Sequence, residues 1–202
     1  MRSHHLRAAA GAGVYSGNIA VVHQSSLFIT AYPWTSGQGF GTKYSDPSTL
    51  PTSTGYSVAW SPDGSDIAVA HLNSPYITAY PWNSGFGTKY SNPSTMITSN
   101  ALGVDFSPDG SDISIVGNFG ITAYPWNSGF GAKYSNPSTT PSGQGRGVAF
   151  SPDGSDIAVA HQNSPYISVY PWSSGQGFGT KYSDPSTLPT GQGRGVTFSP
   201  AV

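Results

Sequence analysis

Residues 58–64 read Val-Ala-Trp-Ser-Pro-Asp-Gly, and close copies of this segment recur at 104–110 and 148–154. An apolar run that stops at proline and is followed by Asp-Gly predicts a β-strand and a tight turn, because Asp-Gly supplies the positive φ angles of such turns. After the third copy, residues 156–161 alternate in side-chain character and predict a second strand. The segment therefore predicts an antiparallel hairpin that recurs along the chain.

The tripeptide Tyr-Pro-Trp marks the period of the repeat. Its proline stands at Pro33, Pro81, Pro125 and Pro171, at spacings of 48, 44 and 46 residues. In the last copy a third strand is predicted at 166–170, up to the proline, and a fourth at 178–182. Four short strands in a unit of about 46 residues are the period of a β-propeller blade.

We therefore predict an all-β fold, a β-propeller of four-stranded antiparallel blades with four blade repeats per chain. An irregular N-terminal arm is predicted at 1–13, and the propeller domain at 14–202. The predicted units are about 14–55, 56–102, 103–146 and 147–194, followed by a closing strand at 195–200. The first unit begins at a second strand, so the C-terminal strand can complete it and close the ring. Alternatively, residues 8–15 with the turn at Ser16-Gly17 could form a degenerate first strand of this unit. Closure by a second chain, as an eight-bladed dimer, is the alternative, and we predict a homo-oligomer.

The segments 58–64, 104–110 and 148–154 resemble the first strand, turn and second strand of WD40-like and TolB-type β-propeller repeats. The resemblance covers nearly the whole chain beyond about residue 14, and the near identity of 58–95 and 148–187 indicates recent amplification. The Gly-His and Trp-Asp dipeptides of WD40 repeats are absent. The resemblance therefore implies the fold, without a partner or an activity.

Charged side chains are sparse, with eight Lys and Arg against nine acids, all of them Asp, and a net charge of −1. This balance predicts no nucleic-acid partner. No apolar run reaches the roughly 18 residues of a membrane span, so no membrane insertion is predicted. The chain lacks cysteine, which excludes disulfides and cysteine-ligated metals. We predict no cofactor. Low charge, the absence of Glu, recent amplification of the repeats and the lack of an evident signal peptide together suit a virion surface protein, so we favour an extracellular or virion-surface location.

Two repeated sets of polar residues invite a metal-site interpretation. Asp-Gly-Ser-Asp occurs at 63–66, 109–112 and 153–156, where calcium binding or acid–base chemistry competes with a role in the turn. The turn is favoured, because calcium loops need more oxygen ligands. Histidines end the second strand of three units, at His23, His71 and His161, while His4 and His5 lie near the N-terminus. We predict that the strand histidines bond the following loop, and we predict no metal site.

The aromatic side chains are the candidate ligand-binding residues. They are Trp34, Trp82, Trp126 and Trp172 after the repeated proline, and Tyr44, Tyr90, Tyr134 and Tyr182 on the predicted fourth strand. Exposed aromatic rings beside polar groups suit stacking on a sugar ring. The same rings can instead fill the space between blades, and the repeat pattern fits both interpretations.

No catalytic constellation is evident, and nearly identical blades argue against an asymmetric active site. We therefore predict a protein that is not an enzyme, namely a non-catalytic binding module whose repeated sites bind a glycan or cell-surface polymer, or a protein, with avidity. A structural or assembly protein, such as a phage virion or tail component, is the first alternative. A lactonase-like propeller enzyme is the weaker alternative, because no acidic metal-ligand set is present.

Overall fold

The strands of the molecule follow the sequence repeat. A computed structural model describes residues 14–200. Within them thirteen strands occur: β1 Ser16–Val22, β2 Ile29–Thr35, β3 Gly39–Phe40, β4 Gly55–Trp60, β5 Asp66–His71, β6 Ile77–Pro81, β7 Ala101–Phe106, β8 Asp112–Gly117, β9 Gly120–Pro125, β10 Gly145–Phe150, β11 Asp156–His161, β12 Ile167–Ser173 and β13 Gly177–Phe178. The predicted arm at 1–13, with His4 and His5, lies outside the described residues. The described part contains no helix that could cross a membrane.

The strands form four antiparallel sheets, each built from strands that are consecutive in the chain. Sheet 1 is β1-β2-β3, sheet 2 is β4-β5-β6, sheet 3 is β7-β8-β9 and sheet 4 is β10-β11-β12-β13. Asp-Gly makes the predicted turns, as at Gly64, whose φ is +74°. This chemistry explains why the first two strands of each full unit pair as a hairpin.

The predicted fourth strand is much shorter than expected. It comprises two residues in sheets 1 and 4, and only an isolated bridge, Trp82 with Phe86 or Trp126 with Phe130, in the other two. The repeated proline accounts for the difference, because proline has no N–H to donate to a neighbouring strand. In sheet 2 the returning segment has three backbone hydrogen bonds: Asn83 N donates to the Gly85 carbonyl at 3.1 Å, Gly87 N to the Pro81 carbonyl at 2.8 Å and Tyr90 N to the Ala79 carbonyl at 2.9 Å.

The apolar core lies between neighbouring sheets. One cluster joins sheets 2 and 3, including Ala68, Ile77, Ile113 and Trp126, and two similar clusters join sheets 1 and 2 and sheets 3 and 4. The middle strands β5, β8 and β11 are buried along nearly their whole length. Face-to-face stacking of consecutive sheets therefore buries most of the apolar surface.

The predicted ring closure is not observed. Residues 195–200 form no strand, and no hydrogen bond of the described residues joins them to β1. Within residues 14–200, sheet 1 therefore has three strands and one edge of β1 has no partner strand. Closure requires the first and last units to become neighbours, and within one chain the successive stacking of four sheets does not bring their strands together.

Candidate functional site

The first strand of each full unit contains a β-bulge. The pairing register shifts by one residue near the start of β4, β7 and β10. The residues without a partner on the neighbouring strand are Tyr56, Leu102 and Arg146. A bulge redirects a side chain and is common beside active sites. The three units therefore share a backbone irregularity that leaves one residue of the first strand outside the regular strand pairing.

These three side chains line one cleft of about 480 Å³, which we call the bulge cleft. Its other lining residues are Leu72, Asn100, Gln144 and Arg194. Arg194 occupies the same position in its repeat as Arg146, because 193–196 and 145–148 both read Gly-Arg-Gly-Val. Consecutive repeat units thus contribute equivalent positions to a single surface.

The bulge cleft is lined from a position at which the repeats differ. The equivalent position is Tyr56, Leu102, Arg146 and Arg194 in successive units, whereas the following turn reads Ser-Pro-Asp-Gly-Ser-Asp at 61–66, 107–112 and 151–156 alike. The expectation that similar units cannot build an asymmetric site is therefore wrong for this cleft. The cleft was not predicted from the sequence. The signal was visible there, because the second residue of the first strand differs between the repeats while its neighbours are similar.

Positive charge dominates the bulge cleft. Two guanidinium groups line it, and none of the seven lining residues is acidic or a histidine. The Arg146 Nε donates to the Gln144 Oε1 at 3.1 Å, and the Gln144 amide in turn donates to Asn118 Oδ1. These bonds orient the Arg146 side chain. A guanidinium group held in this way can donate to a carboxylate, a phosphate or a developing oxyanion.

Asp105 is an acidic side chain without a counterpart in the other units, which have Ala59, Ala149 and Thr197 at this position. It lies on β7, the strand that also carries Leu102 of the bulge cleft. Its Oδ2 accepts a hydrogen bond from Phe150 N at 3.0 Å. Burial raises the pKa of Asp105 to about 6, although backbone hydrogen bonds act in the opposite direction.

The first aspartate of each Asp-Gly-Ser-Asp segment belongs to the turn. Asp63 Oδ1 accepts hydrogen bonds from Ser61 Oγ at 2.7 Å and from Ser65 N at 3.0 Å. Asp109 and Asp153 make the equivalent bonds. These serine and backbone donors lower the pKa of all three carboxyl groups, for Asp153 to about 2. The described residues contain no group of three potential metal ligands.

The second aspartate joins neighbouring sheets. Asp66 accepts from Tyr90 Oη at 2.7 Å and from Nε1 of Trp126, on the next sheet, at 3.0 Å. Asp112 accepts in the same way from Tyr134 at 2.7 Å and Trp172 at 3.2 Å. This inter-sheet bond was not predicted from the sequence.

The predicted ligand-binding aromatic residues occupy two environments. Trp82, Trp126 and Trp172 are buried between sheets, at 6–7% exposure, whereas Trp34, Tyr44, Tyr90 and Tyr134 are partly exposed and Tyr182 is half exposed. Tyr44 Oη donates to Asn18 Oδ1 at 2.8 Å. Packing accounts for the three buried tryptophans, and a ligand-binding role for the eight residues stays a prediction.

The strand histidines make structural hydrogen bonds. Nε2 of His71 lies 2.9 Å from Thr78 Oγ1, and Nε2 of His161 lies 3.0 Å from Ser168 Oγ. His161 Nδ1 also contacts the carbonyl of Asn163 at 2.9 Å, in the loop where the sequence predicted a bond. Burial lowers the pKa of His71 to about 4. The neutral imidazole is therefore part of the packed interior.

Asn18 stands where other units have the second aspartate, and the buried Nε1 of Trp82 on the next sheet has no hydrogen-bond partner among the described residues. We expect Asn18→Asp to supply the missing acceptor and to raise the free energy of unfolding by about 1 kcal/mol. Urea unfolding at pH 7 measures the change. The same substitution in a Trp82→Phe background should bring no gain, and an equal gain there would contradict the explanation.

Comparison with known proteins identifies the fold. No family model matches the chain, and no curated protein matches it. The periplasmic gluconolactonase PpgL of Pseudomonas aeruginosa matches with a TM-score of 0.63 and 15% identity, over 85% of this chain and 56% of that one. A protein of Bacteroides uniformis ATCC 8492 assigned as a 6-phosphogluconolactonase matches with a TM-score of 0.61 and 14% identity, over 82% of this chain and 54% of that one.

The chain therefore has an all-β fold of the β-propeller type and spans little more than half the length of these solved structures. The comparisons also correct two predictions. The two solved structures named above carry lactonase names, which contradicts the interpretation as a non-catalytic binding module and the prediction that the chain is not an enzyme.

Proposed function

We propose that this chain forms part of a lactone-hydrolysing β-propeller enzyme and that the bulge cleft is its substrate site. The observation that carries the proposal is the convergence of unlike side chains, including Arg146 and Arg194, from equivalent positions of similar units. The lactonase names of two proteins with this fold support the reaction class.

Lactone hydrolysis places negative charge where the cleft carries positive charge. Water adds to the carbonyl carbon, and the carbonyl oxygen becomes an oxyanion. The bond from that carbon to the ring oxygen then breaks, the ring oxygen gains a proton, and the product is a hydroxy acid. Arg146 and Arg194 would donate hydrogen bonds to the oxyanion and afterwards hold the product carboxylate. Removal of one such donor typically lowers the rate about 10²–10³-fold.

The arginines would act without a general base from the cleft itself, because no lining residue accepts a proton readily at neutral pH. The attacking water would then pass its proton to solvent. Gln144 would serve as a positioning residue, since its side chain accepts from Arg146 Nε. The cleft therefore stabilises charge, and its effect depends on how firmly the guanidinium groups are held.

The chain would contribute four blade units to the propeller. Sheets 2, 3 and 4 would be three of them, and sheet 1 would be the fourth once a first strand pairs with β1. A periplasmic relative in fold supports an extracellular or periplasmic location.

The proposal is tested by incubating the full chain with glucono-1,5-lactone and its 6-phosphate and following acid release with a pH indicator. We expect hydrolysis above the spontaneous rate, and we expect Arg146→Gln to lower kcat/KM about 10²–10³-fold. Lys43→Gln, which removes one positive charge outside the cleft, is the matched control and should retain the rate. Rates equal to buffer for both lactones, or an unchanged rate for Arg146→Gln, would reject the proposal.

A further inference from the structure

Residues 195–200 have the sequence of a first strand but no strand to pair with. They read Gly-Val-Thr-Phe-Ser-Pro, against Gly-Val-Ala-Phe-Ser-Pro at 147–152. In sheet 4 that sequence belongs to β10, where Val148 pairs with Val159 and Phe150 with Ile157 of β11. The C-terminal segment therefore has the side chains for the same pairing, but no strand of the described residues pairs with it.

β1 is the second strand of a unit in which the described residues include no first strand. It ends at the position before His23, the counterpart of His161, and among the described residues it pairs only with β2. Its side chains Ile19 and Val21 are 36% and 48% exposed, whereas their counterparts Ile157 and Val159 are fully buried. An exposed apolar strand edge of this kind is a template for another strand.

One aromatic contact between a first strand and a third strand is also missing. In each full unit, an aromatic ring of the first strand contacts the tryptophan of the third, with centroid distances of 4.8, 5.3 and 5.6 Å for Trp60–Trp82, Phe106–Trp126 and Phe150–Trp172. By position the remaining pair is Phe198 with Trp34. Both are only partly buried, and the two rings make no such contact in the described chain. Trp34 is therefore more exposed than its three buried counterparts, and Phe198 is more exposed than Phe106 and Phe150.

The aspartate series gives a third observation. Asp66 and Asp112 each accept a hydrogen bond at Oδ1 from the tyrosine of their own unit and at Oδ2 from the tryptophan indole of the following sheet. Asp156 is the next aspartate in this series, and among the described residues its Oδ2 accepts from Ser155 Oγ at 3.2 Å and from no indole. A following unit that carries Trp34 would bring an indole donor to this carboxylate.

We propose that two copies of this chain exchange these halves, with residues 195–200 of each copy pairing with β1 of the other. The register of sheet 4 then places Phe198 opposite Ile19 and Val196 opposite Val21 of the second copy. Phe198 packs on Trp34 of the second copy, and that indole donates to Asp156. The two composite blades close a two-fold ring of eight blades and leave no free edge on β1. The proposal does not depend on the catalytic function.

The mass in solution provides the first test. Light scattering should give twice the chain mass of 21.0 kDa. Phe198→Asp should convert the dimer to a monomer that keeps its β-sheet circular dichroism, because the substitution affects an exposed segment. Leu188→Asp, at a partly exposed site before the segment, is the control and should remain dimeric. A monomer for the unmodified chain, or an open series of larger species, would overturn the proposal.

Cross-linking distinguishes exchange between copies from closure within one copy. The chain has no cysteine, so Val21→Cys and Val196→Cys can be introduced in separate preparations, mixed through a denaturation and refolding cycle, and oxidised. Exchange predicts a disulfide-linked heterodimer on a non-reducing gel. The pair Ser16→Cys and Val196→Cys, out of register, should cross-link far less. If the two cysteines placed in one chain give only an internally linked monomer, the ring is closed within one copy and the proposal is wrong.

Discussion

Replacing Trp126 with alanine is expected to lower the free energy of unfolding by about 4 kcal/mol, which is typical of a large buried aromatic side chain. Trp126 lies in the core between sheets 2 and 3. Its ring makes edge contacts with Tyr90, Phe106 and Phe130 at centroid distances of 5.4, 5.3 and 5.0 Å, and its Nε1 donates to Asp66 at 3.0 Å. Urea unfolding followed by circular dichroism measures the loss.

A matched pair of conservative variants separates the hydrogen bond from the packing. Trp126→Phe removes the indole donor and leaves the buried Asp66 carboxylate with one partner fewer, whereas Trp82→Phe removes an Nε1 that has no partner. Both variants remove a similar volume. We expect Trp126→Phe to be more destabilising than Trp82→Phe by about 1–2 kcal/mol. Equal losses would mean that the bond between sheets contributes nothing measurable.

The second large effect concerns pH. Asp105→Asn is expected to raise the free energy of unfolding at pH 8 by about 3 kcal/mol and to leave it nearly unchanged at pH 4. The folded state raises the pKa of Asp105 from 3.8 to about 6, so the folded protein binds this proton more tightly than the unfolded chain does. The resulting stabilisation is therefore present at low pH and is lost as the pH rises through about 6. Asparagine remains neutral and can still accept from Phe150 N.

The measurement compares urea unfolding of the two proteins at several pH values. His71 has the opposite dependence, because its lowered pKa makes the protein less stable as the pH falls below about 6.5. Both proteins contain His71, so the difference between them isolates Asp105. A gain of the same size at pH 4 and pH 8 would show that the carboxylate charge is not the cause.

Most of the local structure could be predicted from the sequence. The Asp-Gly turn at Gly64 and the strand β11 at Asp156–His161 occur where the residue pattern placed them. Turns and hairpins depend on residues close together in the chain, so their chemistry is visible in a short segment. The predicted fourth strand was longer than the observed one. The repeated proline has no N–H to donate to this strand, and the need for that donor becomes evident only when the two strands are paired.

The candidate site was less predictable. Gly-Arg-Gly at 145–147 and 193–195 was visible as a loop-like segment, but its role depends on a register shift between β10 and β11. A bulge is a property of two paired strands, and the sequence of one strand does not specify it. The difference between Arg146, Leu102 and Tyr56 points to a site only because the tertiary structure places the three side chains in one cleft.

The sequence by itself determined the repeat period, the turns, the first three strands of the full units and the all-β class, since each depends on local residue patterns. The tertiary structure alone decided which side chains meet between units. Trp126 and Asp66 are 60 residues apart in the chain and bond because two sheets stack. The unpaired edge of β1 among the described residues also depends on the tertiary structure, because two strands pair only when their units are neighbours in space.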